Sequence, residues 1–261
     1  MAVGPLERRD LGTTGIAVSA VGLGTVKFGR TEQLKYPTPF ELPSDAEVAT
    51  ILDVAKTCGI NLIDTAPAYG SSEERIGRAL AGQRDDWVIA TKAGEKFTAG
   101  RSTFDFSADA ISRSVQRSLR RLRTDYLDVV LLHSDGRDEM LLESGALDAL
   151  VRLKERGDVR AIGISTKTVA GGMAALPQVD VLMVPYSRAF AEHGPVIAAA
   201  FALGKGILIK KALDSGHLAA VDAADAVPKG IQFALHTPGV SSVVLGSANP
   251  AHIRGWVLAA A

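Results

Sequence analysis

The sequence predicts one α/β domain folded as a (β/α)8 (TIM) barrel with an N-terminal β-hairpin. Three observations point there. About eight short apolar runs alternate with helical patterns along the chain. The length of 261 residues suits one such barrel, and no stretch reads as a linker, so residues 1–261 form a single domain. The rival architecture, an open doubly wound sheet, usually carries G-x-G-x-x-G after its first strand; Gly22-Leu23-Gly24-Thr25-Val26-Lys27 lacks the third glycine.

The elements follow in order. Residues 11–18 read as a hairpin with a Gly-containing turn, short enough to plug the barrel's bottom. A strand over 20–23 comes next. Ser44-Asp45-Ala46-Glu47 is a capping box, followed by Val48, Ile51, Leu52 and Ala55 at helical spacing, with Gly59 as the stop. Residues 60–64 form a strand, and Ser71-Ser72-Glu73-Glu74 caps a helix burying Ile76 and Leu80. After a strand over 87–91, Ser107 opens a long helix with Ile111, Val115, Leu119 and Leu122 inward. A strand over 127–132 precedes a helix opened by Ser144, with Leu147, Leu150 and Val151 inward. Strands over 161–165, 181–185, 206–209 and 242–245 complete the count. Residues 28–43 and 95–106 read as irregular loops after strand C-termini, so they overhang one rim. Tyr36, Phe40, Phe97, Phe104 and Phe106 fall in them, to line a pocket or to fold onto their own loops.

Composition removes several function classes. With 29 basic and 29 acidic residues the formal net charge is zero, so no global field recruits nucleic acid or an acidic membrane. The apolar run 195–203 is too short to span a bilayer and reads as a packed helix. Glu7, Arg8, Arg9 and Asp10 leave no apolar signal region, and the lone Cys58 reads as a small buried hydrophobe, which together suit a cytoplasmic protein. Arg117, Arg120, Arg121 and Arg123 flank inward leucines near a helix C-terminus, a solvated position rather than a nucleic-acid stripe. His193, His217, His236 and His252 lack paired spacing, so no metal is expected. The expected partner is a small molecule; oligomeric state has no signature.

Chemistry concentrates where apolar runs end. Asp64, Lys92 and His133 close three successive runs, and Tyr69 lies in the turn after the first. If those runs are consecutive parallel strands, a carboxylate, an ammonium, an imidazole and a phenol share one rim, a proton-donating site for carbonyl chemistry.

These residues sit in an ordered set of motifs that resembles the aldo-keto reductases over nearly the whole chain. The motifs are Gly22-Leu23-Gly24-Thr25; Ile63-Asp64-Thr65-Ala66-Pro67-Ala68-Tyr69-Gly70 with Glu73-Glu74-Arg75-Ile76-Gly77; Ala90-Thr91-Lys92; Asp125-Tyr126-Leu127-Asp128 with Leu131-Leu132-His133; Ala161-Ile162-Gly163-Ile164-Ser165; His236-Thr237-Pro238-Gly239-Val240; and Gly246-Ser247. The resemblance implies Tyr69 as general acid, with Lys92 favouring its phenolate and Asp64 holding Lys92. A neutral His133 then orients the carbonyl and donates into the developing oxyanion.

The same resemblance implies NADPH bound without a Rossmann turn, with NADH as the alternative. Gly24, Thr25 and Asp64 then approach the nicotinamide ribose and Ser165 the carboxamide. Thr166 replaces the family's usual Asn, Met183 its Gln, and Lys210 an aromatic that commonly stacks on the nicotinamide. Gly246, Ser247, Ala248 and Asn249 resemble a phosphate loop at a helix N-terminus. His252 stands where an Arg or Gln meets the 2′-phosphate, and Trp256, in place of an Asn, is expected to stack on adenine. The long C-terminal tail that closes the pocket in many relatives is not seen, so the pocket is expected to be open, or closed by the loops 28–43 and 95–106, and broad aldehyde specificity is expected on that ground. Two rivals remain at this stage: an NADPH-binding redox-sensing or regulatory barrel with little turnover, and a lyase or aldolase using Lys92 or Lys210 as a Schiff-base amine.

Overall fold

Eight parallel strands close on themselves into a barrel. The structure, a computed structural model, describes residues 6–37, 39–214, 217 and 225–260. The barrel strands are β3 (Val21–Gly24), β4 (Leu62–Asp64), β5 (Val88–Ala93), β8 (Leu127–His133), β9 (Val159–Ser165), β10 (Val181–Pro185), β11 (Gly206–Lys210) and β12 (Ser242–Gly246). Every predicted strand is present, displaced by at most two residues at either end. Their sequences are almost continuously apolar because both faces are covered, by helices outside and by opposing strands inside.

The hairpin of β1 (Arg8–Asp10) and β2 (Ala17–Ser19) does plug one end. Its Leu11, Ile16 and Val18 join Leu62, Val129, Leu131, Val181 and Leu208 in the cluster that fills the barrel. Gly12 is required in that turn: it has φ +58, and a Cβ there would collide with the backbone at Gly204–Gly206.

The helices outside bury the faces their spacing predicts. In α1 (Asp45–Thr57), Ser44 and Glu47 form both halves of the capping box, and Val48, Ile51, Leu52 and Ala55 are buried. Ser107 caps α3 (Ala108–Leu122) through the Ala110 amide. Before α2 (Ser72–Ala79), Ser71 makes no side-chain cap bond; the Ser72 hydroxyl instead turns inward to Thr25 and Thr65.

Two regions differ from the sequence reading. The helix assigned to Ser144 starts later, as α5 (Ala146–Glu155) behind Gly145 at φ +79, and a short α4 (Asp138–Leu142) precedes it. Its buried face runs through Ala146, Ala149, Leu150 and Leu153, which turns Val151 outward at 38% exposure. Residues 95–106 are not irregular: β6 (Glu95–Thr98) and β7 (Arg101–Phe104) form an antiparallel hairpin. Its two-residue turn, Ala99-Gly100, has positive φ at both positions, as a tight hairpin turn requires. The remaining helices are α6 (Val169–Ala175), α7 (Gly194–Ala202), α8 (Ala226–Leu235) and α9 (Pro250–Ala260). No helix among the described residues is long and apolar enough to cross a membrane.

Candidate active site

Strand register carries the predicted chemistry to one rim. Gly24 of β3 pairs with both Asp64 of β4 and Gly246 of β12, while His133, Ser165 and Met183 pair in turn across β8, β9 and β10. Lys92 lies two residues beyond Ala90, the partner of Asp64, so both side chains leave the same end of the sheet.

Asp64 and Lys92 are a buried ion pair, Nζ to Oδ1 2.6 Å. Lys92 also donates to the Thr65 carbonyl at 3.0 Å. An ammonium has three N–H groups, so one is left, and Nζ lies 4.8 Å from the Tyr69 ring centre. The Tyr69 and His133 rings meet edge to face at 6.3 Å. Unlike the ion pair beneath them, both keep some exposure, His133 18%.

The electrostatics differ in one respect from the sequence expectation. Burial raises the Tyr69 phenol, and Lys92 opposes this without overcoming it. Burial also works against the Lys92 charge, but Asp64 and Tyr69 outweigh it and raise the ammonium. Tyr69 is therefore a protonated phenol held beside a firmly charged ammonium.

Backbone contacts fix Tyr69. Thr25 Oγ1 donates to the Asp64 carbonyl, and the Ser72 hydroxyl bonds both Thr25 and Thr65, tying the ends of β3 and β4 to α2. Gly70, at φ +61, packs directly on the backbone of Gly29. Arg75 reaches Asp45 Oδ1 at 2.7 Å and the carbonyls of Phe28 and Pro43, which fastens the loop after β3 over α2. Within that loop Tyr36 and Phe40 pack on each other and around Lys27, and the Tyr36 hydroxyl reaches the end of β12 at Gly246.

A residue with no strand-end signature completes the centre. Glu95 Oε2 stands 2.7 Å from His133 Nδ1, to the side of the ring's N–H axis. Ser102 of the same hairpin donates to Glu95 Oε1 at 2.6 Å, and the Arg30 guanidinium lies 3.9 Å from that oxygen. Arg30 also covers the Phe97 ring at 3.5 Å. The alternating runs either side of Ala99-Gly100 were the available signal for the hairpin; nothing local signals its contact with His133.

The residues expected to hold a cofactor divide. Gly24, Asp64, Ser165 and Lys210 share the rim, and Lys210 Nζ donates to Ser165 Oγ at 2.8 Å. Thr25 is fully buried in its strand-end bonds. Thr166 donates to Asp138 at 2.6 Å; this buried carboxylate, at the start of α4, also gathers the Thr168 hydroxyl and two backbone amides. Met183 belongs to the packing inside the barrel, 1% exposed. Ser247 Oγ accepts from the Asn249 amide, and Asn249 caps Ala251. His252 bonds Ser247 at 2.9 Å and stays exposed beside Ala248 and Asn249. The expectation for Trp256 is corrected. It lies in the core with Ile253 and Val257, 5% exposed, because α9 turns that face to the barrel. It has no free face for a purine.

Sequence reasoning also missed a cationic cavity of about 350 Å³ beside Lys210, lined by Lys35, Lys167, Lys211, Tyr186 and Phe190 among others. Burial lowers the Lys210 ammonium to about 7, helped by the charges of Lys211, Lys92 and Lys167. Burial, with Lys35 and Lys167, lowers Lys211 as well. Among the described residues, no group of three or more His, Cys, Asp or Glu is placed to hold a metal ion.

Known proteins resemble this chain in sequence and fold. Residues 20–226 match the Aldo/keto reductase family. The oxidoreductase YqkF of Bacillus subtilis (strain 168) is 30% identical over 98% of this chain and 91% of its own length. D-threo-aldose 1-dehydrogenase of Pseudomonas sp is 28% identical over 92% of this chain and 88% of its own. The solved structure of an aldo-keto reductase from Pseudomonas aeruginosa, 48% identical, superposes with a TM-score of 0.88 over 97% of this chain and 93% of that one. With its barrel and the profile match over most of its length, the chain belongs to the aldo/keto reductase family of oxidoreductases.

Proposed function

We propose that the protein reduces an aldehyde or ketone of a small molecule to an alcohol, using NADPH as the first-choice hydride donor and NADH as the second. The observation that carries this reading is the buried Asp64–Lys92 pair beneath a partly exposed Tyr69 and His133. Hydride addition leaves negative charge on the carbonyl oxygen, which a neighbouring hydroxyl must neutralise. Tyr69 supplies that proton. Lys92 turns its remaining N–H to the phenol oxygen and stabilises the phenolate, and Asp64 keeps Lys92 charged and aimed. His133 lies on the other side of the entering oxygen.

The residues of the rim fit a dinucleotide. A bound nicotinamide would supply the hydride. Lys35, Lys167, Lys210 and Lys211 leave an excess of positive charge around one cavity, which suits a diphosphate, and Tyr186 and Phe190 give it apolar walls. At the start of α9, His252 and the exposed Arg254 are the groups that could read a 2′-phosphate.

Tyr69→Phe tests it. The variant keeps the ring packing and removes only the acid. Carbonyl reduction should fall by about 10²–10⁴-fold with dinucleotide affinity unchanged. Full activity in the variant would sink the assignment.

A further inference from the structure

Glu95 does not belong to the set of strand-end residues, yet it is the only carboxylate among the described residues within salt-bridge distance of His133. Its position is built. Glu95 opens β6 directly after β5, and the tight turn brings Ser102 back to hold Oε1, which leaves Oε2 for the ring. Arg30, from the loop after β3, closes the far side and donates to the Ala68 carbonyl at 3.3 Å, one residue from Tyr69. Glu95 is one-tenth exposed. A carboxylate placed this way, with hydrogen-bond donors arranged around it, has a task beyond solvation.

We infer that Glu95 is a positioning residue that sets the hydrogen-bonding polarity of His133, holding a proton on Nδ1 so that Nε2 faces the substrate oxygen as an acceptor when the ring is neutral and as a donor when it is charged. This deepens the proposed carbonyl chemistry and rests on it. An ionised carboxylate accepts only, so the Nδ1 side must carry hydrogen. A neutral ring can carry only one, which leaves Nε2 bare. His133 then cannot donate to a carbonyl in its neutral form, contrary to the expectation drawn from the family. Neutral His133 instead suits an alcohol O–H, the group present in the oxidative direction, and the imidazolium suits a carbonyl oxygen.

The groups around His133 set where the change falls. Glu95 faces it from β6, Tyr69 from the turn after β4, Lys92 from β5 and Lys210 from β11. Burial lowers the imidazole, with Lys92 and Lys210 acting in the same direction, and Glu95 opposes all three. Burial pushes Glu95 up, but His133, Ser102 and Arg30 outweigh it and lower the carboxyl to about 2. Glu95 is thus ionised throughout the working range, and the ring is neutral at neutral pH. Oε2 approaches to the side of the Nδ1–H axis, but at 2.7 Å its charge favours hydrogen on the nearer nitrogen without a fully aligned bond.

The test needs neither cofactor nor turnover. In protein labelled with ¹⁵N-histidine, long-range proton–nitrogen correlation spectra report which ring nitrogen carries hydrogen, and the His133→Asn variant identifies the His133 signals among those of the five histidines. At neutral pH His133 should be protonated at Nδ1 and bare at Nε2. In Glu95→Gln, which keeps the shape and removes the charge, the His133 titration should fall by about one pH unit or more. A wild-type ring protonated at Nε2 overturns the inference without any variant, and so does an unmoved titration in Glu95→Gln. Neither result touches the Tyr69→Phe test, so the two readings fail separately.

Discussion

Asp64 Oδ1 and Lys92 Nζ lie 2.6 Å apart at the ends of adjacent strands, each buried to within a few per cent. Removing one partner of such a pair leaves a charge stranded in a dry site, whereas removing both does not. Lys92→Met should therefore destabilise the fold by about 3–5 kcal/mol, and Asp64→Asn by a comparable amount. The double variant Asp64→Asn/Lys92→Met should be more stable than either single one while remaining inactive. Urea unfolding of the four proteins measures the coupling. Additive losses would show that the two charges are stabilised independently.

Gly70 and Gly29 predict a second, backbone route to inactivation. Gly70 has φ +61 and its α-carbon packs against the Gly29 carbonyl, one residue beyond Tyr69. Gly70→Ala adds a methyl group in a left-handed conformation with no room for it. It should cost about 1–3 kcal/mol and lower activity at temperatures where the protein is still folded, because the displaced segment carries Tyr69. Activity measured well below the denaturation midpoint separates the two effects. Unchanged turnover there would mean that Tyr69 is placed without this contact.

Much of this site was legible because a parallel barrel converts a one-dimensional pattern into a rim. Asp64, Lys92 and His133 each end an apolar run, and register alone brings them together. Glu95 was not legible, since its partner is 38 residues away and the hairpin that carries it interrupts the strand–helix alternation. Trp256 failed for a different reason. Motif matching assigned it to a purine, yet Ile253, Trp256 and Val257 have the i, i+3, i+4 spacing of a buried helix face, and the packing follows that spacing. Val151 repeats the lesson, one apolar residue too far round its helix.

Lys210 predicts a pH-dependent stability. Its ammonium is lowered to about 7 in the fold, chiefly by burial, against about 10.4 in an unfolded chain. Between those values the unfolded chain binds the proton and the folded one does not, so stability rises with pH across that window. Lys210→Met, free of the buried charge, should be more stable than wild type at pH 6, and the advantage should shrink as pH climbs from 7 toward 10. Denaturant titrations at three pH values measure this. An advantage independent of pH would assign the effect to packing rather than charge.

The lysine cavity makes the last prediction. Lys35, Lys167, Lys210 and Lys211 repel one another around about 350 Å³, so an anion bound among them relieves an existing strain. A dinucleotide that engages them should stabilise the fold by about 2.7 kcal/mol at a hundred times its dissociation constant. Calorimetry measures the binding directly. NADPH and NADH should both bind, each more weakly as salt is raised, since screening removes the attraction of the exposed part of the cluster. A preference for NADPH should disappear in His252→Ala with Arg254→Ala, whereas Lys211→Ala should weaken both cofactors alike. Equal weakening of both by the His252 and Arg254 changes would mean that those residues do not read the 2′-phosphate.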